Sequence, residues 1–265
     1  MRPVLTVVGS GTLVPSGERS SPCHLVEAED TVLLLDAGPG AVHGLARLGK
    51  PWWKVTHVVL THYHTDHFGD LPHLLFALKW GSPGPRHRPL QVLGPPGLEG
   101  RVEALRRAFG DFVTDPGFEV AYHEVGRNGS RDEPAPGAPS LRFLPVPHTA
   151  ASVAVRVTLG GRSLGYTGDT GPEPTLGSFF RGVDVLISEC GYADPPASAS
   201  HLSPASVAAM ARSAEPGVLV LTHLYPPLDC VSAPRLVREA GYRGEVVCAR
   251  DGERFVLGPA GGRSE

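Results

Sequence analysis

An excess of basic charge is missing from this chain of 265 residues: 24 Lys and Arg stand against 27 Asp and Glu, a formal net charge of −3. A dedicated nucleic-acid module needs a net basic face to meet phosphates, so that class is disfavoured, although a local basic groove is not. Long apolar runs are missing too. None approaches the ~20 residues of a membrane-spanning helix, and the short apolar run near the amino terminus leads into Gly9-Ser10-Gly11, which predicts a first strand and not a signal peptide. The expectation is a soluble, cytoplasmic protein with no membrane partner. Cysteine is scarce. Cys23, Cys190, Cys230 and Cys248 include no C-x-x-C pair, and their scatter predicts reduced core thiols in place of a disulfide framework or a cysteine zinc site. What is present is 41% hydrophobic residues against 19% charged, enough to bury a core and exclude a disordered chain. The length suits one large domain, read here as a single domain over residues 1–265.

Short β-rich runs bounded by Gly, Pro or Asp recur along the chain. Residues 5–8, 24–27 and 32–35 read as a meander, followed by a helix over 41–48, a buried strand over 55–60, and a helix carrying Leu71, Leu74, Leu75 and Leu78. A strand at 90–93 and an Arg-rich helix over 98–109 come next. Segment 126–140 is polar and Pro-rich and reads as a mobile surface loop. Strands at 141–146, 152–159 and 163–166 follow, the last two joined as a hairpin at Gly160-Gly161. Strand 183–187, helix 204–214, strand 218–221, helix 233–240 and strands near Val246 and Val256 complete the chain. Both halves pass from a meander into βα units, which predicts a layered α/β architecture with helices outside paired sheets.

The strongest local signal is Thr61-His62-Tyr63-His64-Thr65-Asp66-His67, directly after the buried strand and before a helix. Three imidazoles and a carboxylate this close can converge on one point, and they are the ligands that zinc, manganese or iron prefer. His148, Asp169 and His223 are bland singly. Each lies just past the carboxyl end of a predicted strand, where α/β architectures assemble their sites. Arg86, His87, Arg88, Arg101, Arg106 and Arg107 offer a phosphate-attracting patch or an ordinary solvated face. Trp52, Trp53 and Trp80 read as core packing, with base stacking as the alternative.

H-x-H-x-D-H at 62–67, an isolated His148, Gly168-Asp169-Thr170 and Thr222-His223 together resemble the metallo-β-lactamase superfamily of dinuclear metal hydrolases, in its ribonuclease Z-like, phosphodiesterase branch. The resemblance runs from residues 8–12 through 33–38 to 201–203 and 219–223, nearly the whole chain. It implies a four-layer αββα sandwich with two divalent ions, zinc or manganese. His62, His64 and His148 would hold one ion, Asp66, His67 and His223 the other, and Asp169 would bridge them. A hydroxide between the ions would attack the substrate, with Asp66 and His201 as the catalytic side chains: Asp66 orients the hydroxide, and His201 stabilises the transition state or protonates the leaving oxygen. Ser203-Pro204 also reads as a helix start beside His201. Asp36 is implied as an acid that orients a ligand His. Ribonuclease Z enzymes that mature tRNA carry a protruding arm between the isolated His and the Gly-Asp-Thr; here only 21 residues separate His148 from Asp169, filled by two predicted strands. The partners implied are a small-molecule or nucleotide phosphodiester, with RNA a candidate, and a second copy of the chain in a homodimer. A tRNA 3′-processing endoribonuclease, a hydrolase of another ester class and a non-catalytic metal-binding scaffold are the alternatives.

Overall fold

Strand-forming runs in each half are apolar on both faces, so each sheet must be covered twice, once by the other sheet and once by helices. The computed structural model describes residues 2–84, 88–126, 129–132 and 138–258 and meets that demand with four layers. The first sheet contains β1 (Val4–Gly9), β2 (Cys23–Ala28), β3 (Thr31–Leu35), β4 (His57–Val59), β5 (Leu90–Gly94) and β6 (Val120–Glu124), with β14 (Arg254–Val256) outside β1. The second contains β7 (Ser130–Asp132), β8 (Ser140–Pro145), β9 (Val153–Leu159), β10 (Arg162–Tyr166), β11 (Val185–Glu189), β12 (Val218–Thr222) and β13 (Val246–Cys248) in spatial order. Both are half antiparallel and half parallel. The switch falls at β3 in one sheet and β10 in the other.

The facing sides of the sheets share one core that includes Leu5, Val26, Leu33, Val59, Phe143, Val155 and Ile187. On the outer face of the first sheet, α1 (Ala41–Arg47), α3 (Leu71–Trp80) and α4 (Leu98–Phe109) cover Leu25, Leu34, Val58 and Val92. On the second, α5 (Leu176–Phe179), α6 (Pro204–Ala214) and α7 (Ser232–Glu239) cover Leu186, Leu219 and Leu221. Helix α6 begins as its sequence predicts: Ser203 caps it in a reciprocal exchange with Ser206, and Pro204 occupies the first turn. Asp70 accepts from Val42 N at 2.9 Å, tying the start of α1 to the start of α3.

Several expectations need correction. Cys230 and Cys248 form a disulfide that joins the segment after β12 to β13, leaving Cys23 and Cys190 as the buried free thiols. Spacing alone missed it because Cys230, in the turn before α7, meets Cys248 of β13 only through the fold and not in a motif. Segment 126–140 is not all loop, since β7 pairs antiparallel with β8; residues 127–128 and 133–137 lie outside the described residues. Strand 55–60 is paired only over His57–Val59, and the edge strand β6 had too little apolar alternation to be read. Trp53 and Trp80 are exposed and not core. Arg88 pairs with Asp30, Arg106 and Arg107 pair with Glu103, and Arg101 lies over the Tyr63 ring, so the described part of the basic patch is a solvated, internally paired face; Arg86 and His87 lie outside the described residues.

The bridge closes a separation of 18 residues, for which loop closure contributes about 3 kcal/mol. A Cys230→Ser variant is expected to lose about 2–3 kcal/mol in denaturant melts. Thiol titration of the unfolded, unreduced protein should find Cys23 and Cys190 alone; four reactive thiols would show that the bridge does not form.

Candidate metal centre

Strand ends from both sheets meet at one rim of the sandwich. The loop after β4 carries His62, His64, Asp66 and His67, the last two on the short helix α2 (Thr65–Phe68). The ends of β8, β10 and β12 carry His148, Asp169 and His223, and His201 precedes α6. Close backbone approach makes this possible. A Cβ on Gly168 would fall 2.7 Å from the Thr61 Cβ, and Gly168 is also at φ 55°, so only glycine lets the Asp169 turn reach the first sheet. His223 itself is at φ 57°, a left-handed conformation uncommon in non-glycine residues that turns the chain sharply after β12.

Two groups of donor atoms result. In the first, His64 Nδ1 lies 3.2 Å from His62 Nε2 and 3.0 Å from His148 Nε2. The other nitrogen of each partner is already used: His148 Nδ1 donates to Ser200 O at 3.0 Å, and His62 Nδ1 donates to Thr61 Oγ1 at 3.0 Å, a hydroxyl whose own proton goes to Asp36. Both Nε2 atoms therefore present lone pairs, and a single N–H on His64 could satisfy only one of them. The second group is Asp66, His67, Asp169 and His223. His67 Nε2 stands 3.2 Å from Asp169 Oδ1 and 3.7 Å from Asp66 Oδ2, and His223 Nε2 stands 3.4 Å from Asp66 Oδ2 and 3.5 Å from Asp169 Oδ2. Asp169 also reaches the first group, 4.0 Å from His62 Nε2 and 3.7 Å from His148 Nε2.

His67 Nε2 and Asp169 Oδ1 are sealed from solvent and, although 3.2 Å apart, make no well-formed hydrogen bond among the described residues. Orphaned buried polar atoms of this kind are costly unless another partner completes them. Converging lone pairs, orphaned atoms and a donor set of imidazole and carboxylate all fit divalent transition ions. Protonation differs between the imidazoles: against the effect of burial, Asp169 and Asp36 hold His67 well above the ordinary value, the response to facing anions that a dication would replace. Burial, reinforced by His67, holds His62 well below the ordinary imidazole value, which keeps it neutral as a ligand must be. For Asp169, burial acts in the opposite sense, but His223 and His67 outweigh it and hold the carboxyl well below its usual range.

Behind these groups lie two further buried carboxylates, Asp36 and Glu189. Asp36 accepts from His67 Nδ1 at 2.7 Å, Thr61 N at 2.8 Å, Thr61 Oγ1 at 2.9 Å and Tyr166 OH at 2.9 Å. The role of orienting an imidazole, expected for Asp36, is met by that contact with His67. Glu189, which sequence reasoning missed, accepts from His201 Nδ1 at 3.1 Å and from the backbone N–H groups of Thr170, Gly191 and Leu202 at 2.5, 3.2 and 3.2 Å. Its signal was present: an acid at the end of the otherwise apolar run 185–189 is rarely buried without a task. Although burial opposes it, Glu189 raises the pKa of His201 above the ordinary imidazole value.

Comparison with known proteins agrees with this geometry. The beta-lactamase superfamily domain matches residues 31–224. The chain belongs to the metallo-β-lactamase superfamily. Its relatives place it in the ribonuclease Z-like branch: it is 31% identical over 255 residues to ribonuclease Z of Mycobacterium marinum, with 84% of this chain and 87% of that protein covered. The metallo-β-lactamase fold protein YhfI from Bacillus subtilis superposes with a TM-score of 0.84 at 26% identity, covering 97% of this chain and 100% of that one. The short form of human tRNase Z shares the fold, with a TM-score of 0.78 at 21% identity over 96% and 99% of the two chains. As a member of this superfamily the chain is a metal-dependent hydrolase, and its fold implies divalent ions at the His/Asp cluster. Between His148 and Asp169 the chain is taken up by β9 and β10, so no arm leaves the fold there.

Asp36 generates the prediction for this region. Asp36→Asn should weaken metal binding by about 10- to 100-fold, because an amide orients the His67 imidazole less firmly than a carboxylate does. Competition titration with a chromogenic chelator measures it; unchanged affinity would remove Asp36 from any part in shaping the site.

Proposed function

We propose that this protein is a phosphodiesterase that works with two divalent ions, zinc or manganese, and that residues 1–265 act as one hydrolase domain. The observation that carries the reading is the pair of donor groups sharing Asp169, with the His201–Glu189 pair beside them. His62, His64 and His148 would hold one ion and Asp66, His67 and His223 the other, with Asp169 between them. Imidazoles outnumber carboxylates in the set, which favours zinc or manganese over magnesium. Two ions there would supply an activated water and neutralise charge on the phosphoryl oxygens.

The chain's own residues supply the rest. Asp66, on α2, would orient the attacking water as well as bind an ion. His201 has Nδ1 committed to Glu189, so its Nε2 is the atom left for the leaving oxygen or for a negative phosphoryl oxygen. Glu189 fixes the tautomer and the ring plane. A cleft of about 670 Å³ beside His64 and Asp66, lined in part by Leu13, Arg19, Ser20 and Pro39, is large enough for a nucleotide-sized diester.

RNA remains within the substrate class because the M. marinum relative is a ribonuclease Z. The β9–β10 hairpin in place of an arm favours a small or nucleotide diester over pre-tRNA. A homodimer and a cytoplasmic location belong to the same proposal. Sedimentation tests the first. Against the second stands the Cys230–Cys248 bridge, since cytosolic thiols are mostly kept reduced, and thiol counting in freshly lysed cells decides it.

Elemental analysis of protein purified without chelator should give about two ions per chain, and His64→Ala should lower that number. Asp66→Ala should lose metal together with kcat. His201→Ala should keep its metal and lose kcat by ~10²–10⁴-fold on an alkyl diester, with a smaller loss on bis-nitrophenyl phosphate, whose leaving group needs little protonation. An equal loss on both substrates would exclude the general-acid role. Failure of the metal-loaded protein to cut any diester in a panel that includes cyclic nucleotides, dinucleotides and pre-tRNA would overturn the phosphodiesterase reading.

A further inference from the structure

One polar group at the rim of the metal centre is not used by the scheme above. Tyr225 lies two residues beyond His223, and its ring stands edge-on to both His223 (5.3 Å, 87°) and His201 (5.9 Å, 76°). Tyr192 stacks on its other side at 5.0 Å and 12°, and Tyr225 N donates to Gly191 O at 2.9 Å, so ring and backbone are both fixed. The residue is only 8% exposed. Its hydroxyl nevertheless hydrogen-bonds to nothing among the described residues and is not sealed from solvent. Buried tyrosines normally find a partner for the O–H. The ring that carries it lies against His223 and His201, with Asp169, Asp66 and Glu189 the carboxylates near it, so it belongs to the rim of the metal centre.

We propose that Tyr225 is a further catalytic residue, its hydroxyl donating a hydrogen bond to a non-bridging oxygen of the phosphodiester on the His201 side of the centre. The proposal rests on the phosphodiesterase reading for the identity of that oxygen. A donor held on two sides by aromatic rings needs no reorganisation when negative charge grows on the phosphoryl group, and such preorganised donors favour the transition state over the bound substrate. The group acts as an O–H donor, and no proton is transferred from it in the reaction. Tyr192 contributes the stacked ring and not a hydrogen bond.

The test uses the full chain with its metals bound. Tyr225→Phe keeps the ring and removes the donor. It should lower kcat for bis-nitrophenyl phosphate by about 10- to 100-fold, with KM within about two-fold and with metal content and melting temperature unchanged. Calorimetric titration with vanadate, which adopts the five-coordinate geometry of the transition state, should show binding weakened by a similar factor, whereas inorganic phosphate should bind almost as before. Tyr192→Phe should change neither. Wild-type kcat and vanadate affinity in Tyr225→Phe would overturn the proposal, as would loss of metal from that variant, which would make Tyr225 a support for His223. If the wild-type protein cuts no diester, the phosphodiesterase reading fails by itself, and the vanadate titrations still decide whether the Tyr225 hydroxyl faces the reacting group.

Discussion

Everything at this rim depends on the buried carboxylate of Asp36. It sits at the end of β3 at φ 59°, in a left-handed conformation that costs a non-glycine residue roughly 1 kcal/mol. From there it accepts from Thr61 beyond β4, from His67 on α2 and from Tyr166 on β10 of the opposite sheet. One fully buried carboxylate thus ties the first sheet to the ligand loop and the ligand loop to the second sheet. Hydrogen bonds to a charged acceptor are about twice as strong as neutral ones, and these have no water to compete with. The strained backbone is stable because so many contacts determine it.

The two halves of the sandwich contribute equally to the centre that Asp36 organises. His62, His64, Asp66 and His67 come from the first half, and His148, Asp169, His201 and His223 from the second. The two groups read as ion positions are each completed across the sandwich, because His148 completes the first cluster and Asp169 and His223 complete the second, whereas the further groups of His148, Asp169 and His201 and of Glu189, His201 and His223 lie within the second half. Sheet packing and ion binding are therefore linked. Ions that bind only the docked halves stabilise the docking, and the apolar core between the sheets in turn holds the donor atoms in place without them.

Much of this was legible in the sequence, for identifiable physical reasons. The αββα layering followed from meanders running into βα units, and helix α6 matched to the residue because Ser203 and Pro204 are an N-cap and first-turn pair. Strands buried on both faces announce themselves by composition, whereas β6 and β7 lie at sheet edges, where half the residues face water and the pattern fades. The H-x-H-x-D-H run could be read because its residues are adjacent. Tyr192 and Tyr225 could not, since they acquire their meaning from residues distant in sequence, and Glu189 showed only as an acid ending a strand, its partners His201 and Thr170 being supplied by the fold. Cys230 and Cys248 belong to the same class, being 18 residues apart and joined only when the segment after His223 folds back along β13.

The same chemical pair is used in two ways. Asp36–His67 and Glu189–His201 are both buried carboxylates that accept the Nδ1 proton of an imidazole and so expose Nε2. What separates their roles is what faces that Nε2. For His67 it is Asp169 and Asp66, two anions within 3.7 Å, a setting that a dication neutralises. For His201 the surroundings are mainly the rings of His148, His223, Tyr192 and Tyr225, although Asp169 with His148, and Glu189 with His223, lie close enough to share an ion with it. An imidazole aimed at carboxylates serves as a ligand, and one aimed between aromatic rings is free to hold a proton. Under the proposed function, the division of labour between binding an ion and assisting the leaving oxygen would follow from the neighbours of two otherwise similar pairs.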